Sequence, residues 1–299
     1  TLRRPLAESD FTVFGEQREH PPLVRCRQCG LVYSNPRDSS DALQRKYVQL
    51  EIGSYLLEEA SRRKTCLADV AFLKKYVAQG RILDVGCSAG IFLDCLREEF
   101  EGYGVEPGMQ GTHYARQLLG KKAVQLATLE TADYPETFFD AITMWDVIEH
   151  LPSPRQSLLK AARLLREEGW LFLVTPDFGS LTARLLGRRW PNLIRQHLFY
   201  FDRRTLSLLL ERCGFELVHR GTYTRHFTLG YLAQRTQLIS PSSGTIAGNR
   251  VGWVGRIANI SIPVNLGDAL LDARCISFTT SPILFLSLLI LVTHCWWLR

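Results

Sequence analysis

The stretch Arg81-Ile-Leu-Asp-Val-Gly-Cys-Ser-Ala-Gly-Ile-Phe-Leu93, followed by Gly102-Tyr-Gly-Val-Glu-Pro107, constrains this chain more than any other. A short apolar run ends in small residues and a patterned segment follows. That order predicts a buried strand, a tight turn and the start of a helix. Asp84 closes the strand, while Gly86 and Gly90 let the backbone turn sharply and approach a ligand closely. Glu106 stands at the tip of the next apolar run, where its carboxylate can accept hydrogen bonds from two vicinal ribose hydroxyls. The layout is that of a nucleoside-bearing cofactor held at the carboxyl ends of parallel strands.

The glycine spacing narrows the cofactor. A dinucleotide site wants G-x-G-x-x-G, so that the second glycine admits a pyrophosphate. Here Ser88 and Ile91 occupy the second and third positions, which disfavours a nicotinamide-dependent oxidoreductase. What stands instead is D-x-G-x-x-x-G, from Asp84 to Gly90. This resembles motif I of the class I S-adenosylmethionine-dependent methyltransferases, in a variant with serine at the centre.

The resemblance extends along residues 26 to 275. Thr128-Leu-Glu130 is placed like the family's adenine-contacting turn, and Phe138-Phe-Asp-Ala-Ile-Thr-Met-Trp-Asp-Val-Ile-Glu-His-Leu151 resembles its fourth strand and exit loop. Gly169 to Pro176 is similar to the fifth strand, approached through the helical stretch Gln156 to Arg166. His197 to Asp202, a helix to Cys213 and Gly214-Phe-Glu-Leu-Val218 resemble the approach to the sixth, and Asn265-Leu-Gly-Asp268 the lead into the seventh. The fold implied is α/β and doubly wound. Its Rossmann-like methyltransferase sheet would be mostly parallel and seven-stranded, with an antiparallel last strand. The cofactor implied is S-adenosyl-L-methionine, with Asp84, Gly86, Cys87, Ser88 and Gly90 around the methionine part. Glu106 would take the ribose and Leu129 with Glu130 the adenine, while Trp145 and Asp146 would border the methyl group.

Methyl transfer asks the protein to align two reactants and to remove the acceptor's proton. His150, just past the fourth strand, suits that task, since an unperturbed histidine titrates near about 6.5. His197, among aromatic neighbours, is a second candidate base, and His113 reads as a helix-surface residue. The run Asp146-Val-Ile-Glu149-His150 also resembles the E-x-x-E-H of ubiquinone-pathway O-methyltransferases, where such residues hold a divalent cation such as Mg²⁺. Its first position is aspartate, which keeps oxygen ligation but shortens the reach. A third reading leaves Glu149 and His150 as structural groups that cap the following loop.

Near the start, Arg25-Cys-Arg-Gln-Cys-Gly30 has the C-x2-C-G shape of a zinc knuckle. Similar methyltransferases begin with a zinc ribbon made of two such pairs. Only Cys26 and Cys29 are present here, so a four-coordinate site lacks two ligands unless His20 or a residue beyond this chain contributes. A relic ribbon is the preferred reading. The other cysteines singled out, Cys66, Cys87, Cys95 and Cys213, fall inside expected strands and helices, which fits reduced thiols and a cytoplasmic setting.

The organisation expected is a partial ribbon over 1–38, irregular with proline turns, a helical lead-in over 39–79, a methyltransferase domain over 80–279 and an apolar tail over 280–299. The first residue is Thr1 rather than Met, as in a fragment of a longer product. A net charge of +6 and scattered arginines give no basic stripe interleaved with aromatics, so nucleic acid is not an expected partner. From Cys275 to Leu298 there is no charged residue, and Trp296-Trp297 and Arg299 stand where an interfacial anchor would. Residues 282–298 are just long enough to span a bilayer, which needs roughly 17–25 residues. Membrane anchor, interface helix and sequence foreign to the gene remain open for them. The acceptor expected is a small molecule methylated at oxygen, a sugar of a surface polysaccharide or a quinone or other lipid-linked precursor. A non-catalytic binding module with the same fold is the alternative.

Overall fold

The computed structural model describes residues 20–49, 51–231 and 261–275. The tail assigned to 280–299, with its anchor and interface readings, lies outside them. Among the described residues no helix is long and apolar enough to cross a membrane.

The chain opens with a hairpin, β1 (Leu23–Arg25) and β2 (Val32–Ser34), where irregular structure was expected. Strands of three residues are too short to show alternation in the sequence. The lead-in is three helices, α1 (Ser40–Val48), α2 (Gly53–Leu57) and α3 (Glu59–Leu73). α1 starts where the Ser39 side chain accepts the backbone N–H of Ala42, an ordinary N-cap.

The core alternates strand and helix: β3 (Arg81–Val85), α4 (Ile91–Leu96), β4 (Glu101–Val105), α5 (Met109–Leu119), β5 (Val124–Gln125), β6 (Phe139–Trp145), α6 (Pro154–Leu164) and β7 (Leu165–Pro176). Strands in the order β5-β4-β3-β6-β7 are all parallel. Beyond β7 come α7 (Leu181–Leu186), β8 (Phe199–Tyr200), α8 (Arg203–Arg212), β9 (Phe215–Thr228) and β10 (Ser261–Cys275). β10 lies beside β7 and antiparallel to it, with β9 antiparallel on its outer side. β8 leaves the main sheet and pairs with β2, completing a small three-stranded sheet.

Strands covered on both faces are near-continuous apolar runs, and their residues part to opposite sides. Leu83 and Val85 join one cluster with Leu158, Ala161 and Leu164 of α6 and Leu206 and Leu210 of α8. Ile82 joins the other, with Val70 and Leu73 of α3 and Phe92, Leu93 and Leu96 of α4. The result is a sheet between two helical layers. Helix ends are set locally: Pro154 takes the first turn of α6, and Asp202 with Thr205 makes a capping box for α8.

α3 is attached in a different way. Its buried face carries Ser61, Thr65 and Asp69. Thr65 Oγ1 accepts the backbone N–H of His226 at 2.9 Å, and Asp69 accepts the Tyr223 hydroxyl at 2.8 Å. Polar bonds thus fasten the lead-in helix to β9. Cys26, Cys29, Cys66, Cys87, Cys95 and Cys213 are free thiols.

Gly90 opens α4 with φ of +77°, and a Cβ there would lie 2.9 Å from Leu119 Cδ1 and 3.0 Å from Ala115 Cβ. Its lack of a side chain therefore sets both the turn and the approach of α4 to α5. Gly90→Ala should lower stability in urea unfolding by about 1–3 kcal/mol, from left-handed strain and overpacking together.

Candidate functional site

The strands β3, β4 and β6 deliver their carboxyl ends side by side. After β3 the turn from Gly86 to Gly90 folds back on β4, with Gly86 N–H donating to Val105 O at 2.8 Å. Gly86 and Ser88 both have positive φ, +72° and +48°. The Glu106 carboxylate holds this turn against the next one. Its Oε2 accepts Ser88 N–H at 2.9 Å and its Oε1 accepts Gly108 N–H at 2.6 Å. Burial raises the Glu106 pKa, and these two N–H groups oppose the rise. Each oxygen keeps a lone pair beyond the bond it has made. An acceptor-only group with two remaining sites fits the two hydroxyls of a ribose, so the residues present suit the implied cofactor.

Asp84 is buried behind the turn and accepts the Thr143 hydroxyl at 2.8 Å. Desolvation pushes its pKa up to about 8. Cys87 is buried, its sulfur so close to Gly104 that a Cβ there would stand 2.6 Å away. Leu129 packs within the core, and Glu130 accepts the Ser157 hydroxyl at the flank of α6. Trp145 lies between Phe92 and Tyr223, edge-on to the first and stacked on the second, and its indole N–H has no hydrogen-bond partner among the described residues.

Past β6 the chain turns at Asp146, whose φ is +57°, into one 3-10 turn, Ile148–His150. The Asp146 carboxylate pairs with Arg225 of β9. Glu149 points inward, where its Oε2 accepts the Thr175 hydroxyl at 2.9 Å. Its Oε1 faces His197 Nε2 at 3.9 Å. Burial holds the Glu149 carboxyl well above the usual range. The rings of His150 and His197 meet edge to face, 4.7 Å between centroids.

Both histidines have their tautomers assigned by backbone carbonyls, which only accept. His150 Nδ1 lies 3.0 Å from Gln196 O and His197 Nδ1 lies 2.8 Å from Asn192 O. Each therefore carries its proton on Nδ1 and, when neutral, a lone pair on Nε2. Burial lowers the His150 pKa. The Tyr47 hydroxyl of α1 also reaches His150 Nδ1, at 3.0 Å. The backbone oxygen of Tyr47 lies 3.4 Å from where a Cβ on Gly108 would stand. One residue of the lead-in thus touches both the histidine and the turn that Glu106 holds. Nothing in its sequence context singles it out.

His197 is beside His150, and Glu149 and both imidazoles offer ligand atoms within 4.8 Å of one another. Asp146, placed in that set from the D-x-x-E-H spacing, is turned instead to Arg225. Cys26 and Cys29 sit at the turn of the β1–β2 hairpin, and backbone N–H groups, that of Cys29 foremost, lower the Cys26 pKa. Among the described residues no third donor forms a metal-ligating group with them. His113 is exposed on α5.

A glycine turn and a buried carboxylate stand together at the carboxyl edge of a parallel sheet, an arrangement that suits a nucleoside ligand. Residues 57–220 match the family described as Methyltransferase domain, and the chain belongs to it as a class I S-adenosylmethionine-dependent methyltransferase. It is 32% identical over 115 residues to a ubiquinone biosynthesis O-methyltransferase of Burkholderia multivorans, covering 33% of this chain and 46% of that one. With the Burkholderia ambifaria protein of the same description it shares 31% over 173 residues, 50% of this chain and 71% of that one. The chain spans less than half the length of the first curated relatives it matches. In fold it is similar to a SAM-dependent methyltransferase from Archaeoglobus fulgidus, with a TM-score of 0.50 at 20% identity, covering 74% of this chain and 99% of that one.

The buried carboxyls give the protein a pH signature. Asp84 is held at about 8 and Asp69 at about 7, against an ordinary 3.8, chiefly by desolvation. Between pH 4 and 8 the folded chain keeps protons that the unfolded chain has released, so stability falls as pH rises through that window. Denaturant midpoints of the ligand-free protein should decline from pH 5 to pH 8, and Asp84→Asn should flatten the decline.

Proposed function

We propose that the chain transfers a methyl group from S-adenosylmethionine to a hydroxyl of a small acceptor, a quinone or other lipid-linked precursor in preference to a sugar. The observation that carries this reading is the adjacency of His150 to the Glu106 turn, bridged by Tyr47. Glu106 would take the ribose hydroxyls, the backbone of 86–90 the methionine part, the Leu129–Glu130 turn the adenine, and Trp145 would wall the reacting side. Asp84, neutral when alone, would ionise beside the cofactor's ammonium group, since an opposite charge lowers a carboxyl pKa. The cofactor supplies a methyl carbon on a cationic sulfur. His150 would remove the acceptor's hydroxyl proton through Nε2, with Nδ1–H held by Gln196 O. His197 and Glu149 would back the ring. The similarity to ubiquinone-pathway enzymes supports a quinone precursor as acceptor.

The sheet is read as the family's seven-stranded form with an antiparallel last strand, supported by the β7–β10–β9 pairing. A second reading, a divalent cation on Glu149, His150 and His197, is favoured by the convergence of their ligand atoms.

Glu106→Ala should weaken S-adenosylhomocysteine binding in calorimetry by about 1.5–3 kcal/mol for each charge-assisted bond lost. NAD should give no heat with the wild type. Unchanged homocysteine-nucleoside affinity in a folded Glu106→Ala protein would remove the cofactor assignment.

His150→Ala should lower turnover by about 10²–10⁴ with cofactor affinity nearly intact. Because burial lowers the His150 pKa, the acidic limb of the pH–rate profile should fall below the about 6.5 of an exposed imidazole. Inhibition by chelator with recovery on adding a divalent ion would instead select the cation reading.

A further inference from the structure

Two cysteines meet where the lead-in joins the core. Cys66 lies on α3 and Cys95 on α4, and each is a free, half-buried thiol. Their side chains are hydrogen-bonded to one another. Both pack against Ile52, Ala89 and Ile91, so the pair shares a cluster with the glycine turn. One helical turn before Cys66, Arg63 reaches across to Asp94, the neighbour of Cys95, at 2.6 Å. An ion pair thus holds the two helices together beside the two sulfurs.

The pair is chemically asymmetric. The Cys66 thiol and then the Arg63 guanidinium hold the Cys95 pKa down to about 7, against burial and the neighbouring Asp94. The same hydrogen bond, with burial and with Asp69 and Asp84 nearby, raises that of Cys66. A cysteine that only fills space behaves as a small apolar group whose thiol burial makes inert, as at Cys87 and Cys213. Cys95 instead has the electropositive, partly exposed surroundings of a reactive thiol, with a second thiol in contact. Cys26 and Cys29 are also in contact, but they lie within one hairpin turn and join no second element.

We propose that Cys66 and Cys95 form a reversible disulfide that clasps α3 to α4, made by exchange with a low-molecular-weight disulfide such as that of glutathione. The Cys95 thiolate attacks one sulfur of the small disulfide, giving a mixed disulfide and releasing one small thiolate. Cys66 passes its proton to that thiolate, attacks the Cys95 sulfur and expels the second. Two protein thiols are oxidised by two electrons, the small disulfide is reduced, and the protons of the two cysteines end on the two small thiols. Closing the bond tethers α3, already fastened to β9 through Thr65 and Asp69, to the helix that follows the glycine turn. The clasp needs only the two thiols and stands apart from the choice of methyl acceptor.

The test incubates the reduced, native full chain with glutathione disulfide, then applies alkylation, trypsin and mass spectrometry. Peptides 65–74 and 82–97 should appear linked, with fragmentation placing the bond on Cys95 rather than Cys87, and dithiothreitol should part them. The oxidised chain should melt at a higher temperature than the reduced one, because the cross-link restricts the unfolded chain. Cys66→Ser keeps a hydroxyl that can donate to Cys95, and this variant should stop at a glutathione adduct on Cys95. Cys95→Ser should form its adduct on Cys66 at least about tenfold more slowly, since that thiol holds its proton. Both thiols left unmodified in the wild type, or a link from either to another cysteine, would overturn the proposal. So would an oxidised chain that melts no higher than the reduced one, or equal adduct rates in the two variants.

Discussion

Two oxygens of one carboxylate tie together the two turns at the carboxyl edge of the parallel sheet. Glu106 ends a parallel strand and takes a backbone N–H from each of two loops, at 2.9 Å from Ser88 and 2.6 Å from Gly108. Those loops begin on neighbouring strands, β3 and β4, whose pairing from Arg81–Glu101 to Val85–Val105 fixes where they emerge. The group expected only to meet a ligand therefore also shapes the place where the ligand goes. On the proposed reading such a carboxylate is organised before a ribose would arrive, which would leave less ordering for binding.

The second half of the site rests on burial. Glu149 and His197 are buried and His150 partly so within one small cluster, and each has a hydrogen-bond partner that fixes its orientation. Thr175 holds the carboxyl, and the two carbonyls of Gln196 and Asn192 hold the imidazoles. The segment around His197 is itself anchored, since Leu198 N–H donates to the Glu149 carbonyl at 2.8 Å and Ser34 reaches the His197 carbonyl at 3.0 Å. A low-dielectric setting strengthens every polar interaction inside it and makes each unpaired group costly. Orientation and protonation are thus set by the same few contacts.

Much of this was legible along the chain. The apolar runs at Ile82–Val85, Phe139–Trp145 and Leu171–Val174 announce strands covered on both faces, and Asp84, Gly86, Gly90 and Glu106 fall where local spacing places them. Contacts between distant segments leave no such mark. Tyr47 and His150 are 103 residues apart, and no periodicity joins them. The pairing of Asp146 with Arg225 is of the same kind and shows why the D-x-x-E-H run did not converge as its spacing suggested. The buried polar face of α3 was hidden for another reason. Thr65 and Asp69 read as exterior until strand β9 supplies the groups they bind.

Tyr47 carries one further consequence. The family match begins at residue 57, ten positions beyond it. A chain cut at that boundary would retain each parallel strand, the glycine turn and Glu106, yet would lose the hydroxyl that meets His150 and the backbone that borders Gly108. The limits of the matched family domain and the limits of this residue cluster are therefore different. On the proposed reading, a helix outside the matched domain forms part of the chamber's wall, so variation there would reshape the space beside His150 while the turn held by Glu106 stays as it is.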